Sequence, residues 1–218
     1  MYFADLHLHS RYSIATSKSS VPEELDYWAG RKGLRLIGTG DITHPGWRRE
    51  LLAKLVPAED GFFRLSDDYR KPEAKAKVPI RFVLTGEIST IFRQDGRGRK
   101  VHQLIIFPDF QSVELLVRTL ERIGNLHSDG RPILGMSSRE LLQRVLTANP
   151  AAMFIPAHIW TPHFSIFGAK SGFDSLQECF QDLTKEIFAL ETGLSSDPAM
   201  NWRVSSIEDL SLISNSDA

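Results

Sequence analysis

Short apolar runs separated by segments with helical spacing make up most of this chain. The apolar runs cover residues 2–8, 34–39, 80–84, 104–107, 152–155, 187–190 and 212–213. Between them, Pro22 predicts the first turn of one helix, the spacing of 110–123 predicts a second, and Ser137 with Glu140 forms a capping-box pattern ahead of a third. The alternation predicts an α/β fold with a largely parallel sheet, either closed as a barrel or open.

One predicted hairpin interrupts this alternation. Its turn is Asp95-Gly96-Arg97-Gly98, which separates an apolar run at 88–92 from the run that follows Lys100. Basic side chains surround the tip, namely Arg93, Arg97, Arg99 and Lys100. Such a charge run is usually a solvated face, but beside a metal site it also suits a nucleic-acid backbone, and both interpretations stay open.

Composition narrows the class of protein. The 218 residues carry a formal net charge of −1 and are 42% hydrophobic, which suits one globular domain over residues 1–218. The single cysteine, Cys179, excludes an intramolecular disulfide and a multi-cysteine zinc site, so any metal must be held by histidines and carboxylates. No apolar run approaches the roughly 20 residues of a membrane span, and no targeting segment opens the chain, which predicts a cytoplasmic protein without a membrane partner.

Histidines and carboxylates follow the ends of six predicted strands. They are His7 and His9, Asp41 and His44, Glu87, His158, Glu191 and Asp217. In parallel α/β folds, functional groups collect at the carboxyl ends of the strands, because loops from several strands converge there. Imidazole and carboxylate mixtures suit zinc, manganese or iron, and several carboxylates favour two or three ions that share bridging oxygens.

Each of these residues also has an ordinary structural interpretation. His7 and His9 are two residues apart in a predicted strand, so both side chains face the same side of the strand. They are either a pair of metal ligands or polar residues on the solvent face of an edge strand. Asp41 and His44 follow a glycine-rich turn, where such residues are usually caps or hydrogen-bonding groups. For His102, a partly buried structural histidine is an equal alternative.

The ordered motifs resemble the PHP superfamily, the polymerase and histidinol phosphatase group of metal-dependent phosphoesterases. The motifs are Asp5-Leu6-His7-Leu8-His9-Ser10, Gly40-Asp41-Ile42-Thr43-His44, Gly86-Glu87, His102-Gln103-Leu104, Pro156-Ala157-His158 and Ser216-Asp217. The resemblance implies a distorted (β/α) TIM-like barrel with two or three divalent ions, zinc first and manganese, magnesium or iron as alternatives. The implied metal ligands are His7, His9, Asp41, His44, Glu87, His102, His158 and Asp217. Glu191 and Asp197 are implied at the catalytic site, as ligands or as acceptors that orient the histidines.

Within that superfamily, four longer stretches are similar to the endonuclease Q family. They are residues 1–7, 38–45, 157–162 and 191–198. This similarity implies hydrolysis of the DNA phosphodiester 5′ to deaminated bases or abasic sites, with Trp160, Phe164 and Phe167 either stacking on an extruded base or packing as ordinary aromatics. A phosphomonoesterase of the histidinol-phosphatase type and an inactive PHP binding module are the alternatives.

Two features depart from the family pattern. The loop after the first histidine pair offers Ser13, Ala15, Thr16 and Ser17 where many relatives have another histidine or aspartate. Superfamily members complete the last motif as Asp-x-His, whereas this chain stops at Asp217-Ala218. We therefore expect a barrel that is incomplete at its last strand and helix, without the zinc-binding and accessory segments that the family carries after it.

Overall fold

The computed structural model describes residues 2–14, 16–75 and 78–218 of the 218-residue chain. Met1, which opens the first endonuclease Q-like stretch, lies outside the described residues. The strands are β1 (Phe3–Asp5), β2 (Leu34–Gly38), β3 (Leu55–Pro57), β4 (Phe63–Leu65), β5 (Arg81–Gln94), β6 (Arg97–Phe107), β7 (Ile133–Leu134), β8 (Met153–Pro156), β9 (Ala189–Thr192) and β10 (Ser211–Ser214). The α-helices are α1 (Pro22–Lys32), α2 (Pro45–Lys54), α3 (Pro72–Lys75), α4 (Phe110–Leu120), α5 (Ser138–Ala148), α6 (Leu176–Phe180) and α7 (Pro198–Asn201), and two 3-10 helices cover Gln181–Glu186 and Ser205–Ile207.

Eight of the described strands form one mixed sheet. β1, β2 and β5 are parallel neighbours, whereas β5–β6, β6–β8 and β3–β4 are antiparallel pairs. β9 and β10 form a separate parallel pair. The predicted α/β class is confirmed. The prediction of a largely parallel sheet is wrong, because two hairpins add antiparallel strands, and closure into a TIM-like barrel stays a prediction.

The predicted hairpin is the longest regular feature of the sheet. β5 and β6 pair without interruption from Leu84 opposite Phe107 to Gln94 opposite Arg97. Asp95 and Gly96 form the turn with φ of 51° and 75°, the left-handed pair that a two-residue hairpin loop requires. The apolar runs at 80–84 and 88–92 therefore belong to one strand.

Helix ends follow their sequence signals. The Ser137 hydroxyl accepts a hydrogen bond from the Glu140 N–H at 3.1 Å, as the capping pattern predicts, and α5 begins at the next residue. Asp109 caps α4 in the same way, but α4 ends at Leu120, earlier than the predicted 110–123. In the described part of the chain, no helix combines the length and apolar character needed to cross a membrane.

The core lies on both faces of the sheet. A large cluster that includes Trp47, Leu116 and Leu141 packs the helices against one face. A small second cluster contains Val83 and Leu104. Because strand side chains alternate between faces, that small cluster shares its face with two predicted ligands, Glu87 on β5 and His102 on β6. These ligands therefore project from a rigid, apolar-backed sheet.

Candidate metal centre

The first histidine pair lies beyond the first strand. β1 ends at Asp5, so the prediction that His7 and His9 lie within a strand is wrong. The segment is instead held by close packing: a Cβ at Gly40, which has φ of +66°, would come within 2.2 Å of the Leu8 carbonyl oxygen. Only glycine allows the 38–41 turn to approach this segment so closely.

Four predicted ligands converge in one group formed by His7, His9, Glu87 and Asp217. The Nε2 atom of His7 lies 3.6 Å from Glu87 Oε2 and 3.4 Å from Asp217 Oδ1. The Nε2 atom of His9 lies 3.5 Å and 3.3 Å from the same two oxygens. Glu87 and His7 are buried, and Asp217 is half-buried. Two imidazoles thus face two carboxylates from segments far apart in sequence.

These separations fit the ligands of a tetrahedral metal ion. Four ligand atoms at about 2.1 Å from a tetrahedral ion are about 3.4 Å apart, and the four measured separations fall around that value. Most exceed the usual length of a hydrogen bond. The Nε2 atom of His7 is buried and has no hydrogen-bond partner among the described residues, which is costly unless a cation fills the gap.

A second group shares the same glutamate and consists of Glu87, His102 and His158. Glu87 Oε1 lies 2.7 Å from His102 Nδ1 and 3.2 Å from His158 Nε2, and the two histidine nitrogens are 3.2 Å apart. Glu87 therefore turns one carboxylate oxygen toward each group. A carboxylate placed in this way is suited to bridge two metal ions.

Outer carboxylates fix which nitrogen of His7 and His9 faces the first group. Glu191 lies 3.0 Å from Nδ1 of His7, and Asp41 lies 3.0 Å from Nδ1 of His9. An Nδ1–H donated to a carboxylate leaves the Nε2 lone pair free to bind metal. Glu191 and Asp41 thus lie behind the histidines, on the side away from the four-residue group.

Both outer carboxylates have further donors. The Ser10 hydroxyl and N–H and the Ser13 hydroxyl donate to Asp41 Oδ2, at 2.6, 2.7 and 2.9 Å. Glu191 accepts from the His158 N–H and the Asn215 side chain, at 2.9 and 2.7 Å. These contacts hold each carboxylate in one orientation. They also account for Ser13 in the loop where relatives have another ligand type.

Two predicted site residues lie apart from both groups and cap helices. His44 Nδ1 accepts from the Trp47 N–H at the start of α2, and its Nε2 lies 3.1 Å from the His127 carbonyl oxygen. Asp197 is exposed and caps α7 by accepting from the Met200 N–H. Each side chain thus caps a helix, and the predicted site roles of His44 and Asp197 stay predictions.

Arg131 is a site residue that the sequence interpretation missed. Its Nη1 donates to Glu87 Oε2 at 3.2 Å, and the side chain is 34% exposed. It comes from the 121–132 loop between α4 and β7, which carries no recognisable motif. The chain end supplies two further contacts, because Asn215 bonds the Leu6 N–H and the Asp217 N–H donates to the His7 carbonyl oxygen.

Charge pairing sets the protonation of the metal-free site. Burial alone raises the pKa of Glu87, but the charge and hydrogen bond of His102 and the hydrogen bond of His158 hold it well below its usual value. Burial lowers the pKa of His9, yet hydrogen bonds to Asp217 and Asp41 and nearby negative charge raise it to about 9. The metal-free site thus holds charged carboxylates next to a protonated His9 imidazole, whereas burial lowers the pKa of His102.

Three predicted site residues have a strained backbone conformation. Asp41, His158 and Asp217 have φ of 48°, 30° and 53°, a region that non-glycine residues rarely adopt. Such conformations cost about 1–3 kcal/mol each and persist where the surroundings enforce them. The fold thus holds three predicted site residues in unfavourable backbone conformations that fix the positions of their side chains.

The fold and the two ligand groups are those of a metal-dependent hydrolase. No family model matches the chain. Among solved structures, a candidate metal-dependent phosphoesterase from Bifidobacterium adolescentis superposes with a TM-score of 0.59 and 17% identity, over 98% of this chain and 86% of that protein. At this identity the likeness shows the fold alone.

Closer similarity is to endonuclease Q. The lesion-specific endonuclease PfuEndoQ from Pyrococcus furiosus superposes with a TM-score of 0.82 and 32% identity, over 100% of this chain and 48% of that chain. Endonuclease Q in complex with a 27-mer duplex substrate with an abasic lesion at the active site superposes with a TM-score of 0.81 and 31% identity, over 99% of this chain and 48% of that chain. The chain thus spans about half the length of these proteins. The resemblance predicted from the motifs is confirmed.

The raised pKa of His9 predicts how stability changes with pH in the metal-free protein. Because the folded pKa of about 9 exceeds the ordinary 6.5, His9 stabilises the fold fully below pH 6.5, and this stability is lost as the pH rises to about 9. We expect the urea midpoint, measured with a chelator present, to fall over that range. His9→Gln reduces the fall, whereas His163→Gln, at an exposed histidine, keeps it. Equal slopes in all three proteins would contradict the assignment.

Proposed function

We propose that this chain is the catalytic part of a metal-dependent DNA repair endonuclease of the endonuclease Q type. The observation that carries the proposal is the Glu87 carboxylate, which faces two ligand groups at once. Similarity to endonuclease Q over the whole chain supports DNA as the substrate. The substrate bond is the phosphodiester 5′ to an abasic site or a deaminated base, and the TIM-like barrel of the PHP type is the proposed complete fold.

The proposed ligands are the six residues of the two groups, namely His7, His9, Glu87, His102, His158 and Asp217. Imidazole with carboxylate favours zinc, with manganese or iron next. When bound, the ions lower the pKa of a water molecule and neutralise charge on the phosphoryl oxygens. Glu191 and Asp41 keep His7 and His9 in the tautomer that binds metal.

Arg131 supplies a cation of the chain's own at the mouth of the site. Its Nη1 contacts Glu87, which leaves other guanidinium donors for a second partner. Arginine binds phosphate oxygens through paired donors, and this side chain is partly exposed. We assign Arg131 to a non-bridging oxygen of the scissile phosphate, where it stabilises the charge that grows during hydrolysis.

Replacing the shared glutamate tests the function directly. Glu87→Gln keeps the shape of the side chain but removes the charge that both ligand groups share, so we expect nicking of a duplex with one abasic site to fall at least about 100-fold. The matched control is Glu121→Gln, at an exposed glutamate just after α4, which keeps wild-type activity. A chelator abolishes wild-type nicking, and added zinc or manganese restores it.

The same assay separates the alternative functions. The chain would be a phosphomonoesterase if it released phosphate from a small phosphomonoester but did not nick abasic or uracil-containing DNA. Failure to bind metal in dialysis, together with no hydrolysis of either substrate, would make the chain a binding module. If Glu87→Gln left the nicking rate unchanged, the proposed role of the shared carboxylate in catalysis would be contradicted.

We expect Arg131→Ala to have opposite effects on metal affinity and on the rate of hydrolysis. Removing a positive charge next to Glu87 tightens zinc binding roughly threefold to tenfold, because the ion and the guanidinium repel each other. Turnover on abasic DNA falls at the same time, because the phosphate loses its donor. Arg131→Lys restores the zinc affinity of the wild type but only part of the turnover. The control Arg139→Ala removes a partly exposed arginine paired with Asp182 and changes neither quantity. The absence of both effects in Arg131→Ala would contradict the proposed role of Arg131.

A further inference from the structure

One face of the β5–β6 hairpin continues outward from the metal centre. In the register of the two strands, Ser89 lies opposite His102, Ile91 opposite Lys100, and Arg93 opposite Gly98. Directly opposite residues share a face, and side chains two residues apart along a strand do so too. Lys100 and Arg93 therefore lie on the face that carries Glu87 and His102. Arg97 and Arg99 lie on the other face.

Lys100 and Phe164 form the first step away from the ligands. Phe164 packs its ring against His102, with the ring centres 4.6 Å apart. The Lys100 ammonium lies 5.4 Å from the centre of the same ring. Hydrogen bonds from His102 N–H to the Phe164 carbonyl oxygen and from Lys100 N–H to the Ser171 carbonyl oxygen hold the loop on the strand. A cation and an aromatic ring thus flank the second ligand group.

Phe164 differs from the other aromatic residues of its loop. Trp160 and Phe167 pack on each other at 4.9 Å, and Trp160 donates to the Asn201 side chain, so both serve packing. Phe164 instead has a φ of 56° and packs its ring against His102, a proposed ligand. The loop therefore directs one ring to the site.

Arg93 extends the positive charge to the end of the hairpin. Strands rise by about 3.4 Å per residue, so Lys100 lies about 7 Å beyond His102, and the Arg93–Gly98 pair lies about 7 Å further. Arg93 is exposed, and its one described contact is to the Gly96 carbonyl oxygen within the turn. Arg99, in contrast, is buried over Phe173 and is not part of this surface.

We infer that Lys100, Arg93 and Phe164 form a track that binds the DNA strand leaving the metal centre. The two cations contact successive backbone phosphates, and the Phe164 ring stacks on a base next to the scissile bond. The choice of DNA rests on the proposed function. The track itself rests on the strand register, which places two cations and a ring in line with the ligands on one face.

The test compares the two faces of the hairpin. The double variant Arg93→Ala/Lys100→Ala removes both track charges, and Arg97→Ala removes an exposed arginine at the same tip but on the other face. Affinity for a labelled duplex with one abasic site is measured from 50 to 200 mM salt, with metal-free protein so that cleavage does not interfere. Each lost phosphate contact lowers the salt slope by about 0.9. The affinity advantage of the wild type over the double variant therefore shrinks about tenfold over this range.

A second measurement separates the track from catalysis. With zinc bound, the double variant hydrolyses a small diester, bis(4-nitrophenyl) phosphate, at the wild-type rate, because this substrate does not reach the track. Phe164→Leu weakens DNA binding without a change in salt slope, since stacking carries no charge. Equal salt slopes for the double variant and Arg97→Ala, or no measurable DNA binding by the wild type, would overturn the track. If only the double variant lowers the salt slope and the wild type does not nick DNA, the DNA-binding track is supported and the proposed endonuclease activity is contradicted.

Discussion

The buried carboxylate of Glu87 is the constraint around which this structure is organised. It is 1% exposed, and its two oxygens lie near ring nitrogens of His7, His9, His102 and His158 and the guanidinium of Arg131. Removing a carboxylate from water is costly unless positive charge compensates it. In the metal-free protein the Arg131 guanidinium and the imidazoles of His7 and His9, whose pKa values are raised, supply that charge, and metal ions are suited to replace the imidazole protons.

The rest of the fold holds these groups in register. Glu87 and His102 project from paired strands backed by a small apolar cluster, so their separation is set by the sheet. His7, His9 and Asp217 lie in segments without regular structure and depend on polar contacts, including the Asp217 N–H bond to the His7 carbonyl oxygen and the Glu191 bond to His7. Hydrogen bonds therefore position His7, His9 and Asp217, whereas strand pairing positions Glu87 and His102.

The sequence predicted the α/β class and the residues that converge, because motif order carries information that no single histidine does. It did not predict Arg131, whose approach to Glu87 depends on the path of a loop without a motif. His44 and Asp197 each precede a proline at the first turn of a helix, a pattern that also indicates a cap, and their roles at the site stay predictions. Sheet direction was missed because short apolar runs do not reveal which strands pair as hairpins.

The most direct test of the shared carboxylate is a crystal structure of the zinc-loaded chain with anomalous scattering measured at the zinc edge. The account predicts two zinc peaks, one on each side of Glu87, with His7, His9 and Asp217 around the first and His102 and His158 around the second. A single peak, or two peaks that Glu87 does not bridge, would contradict it.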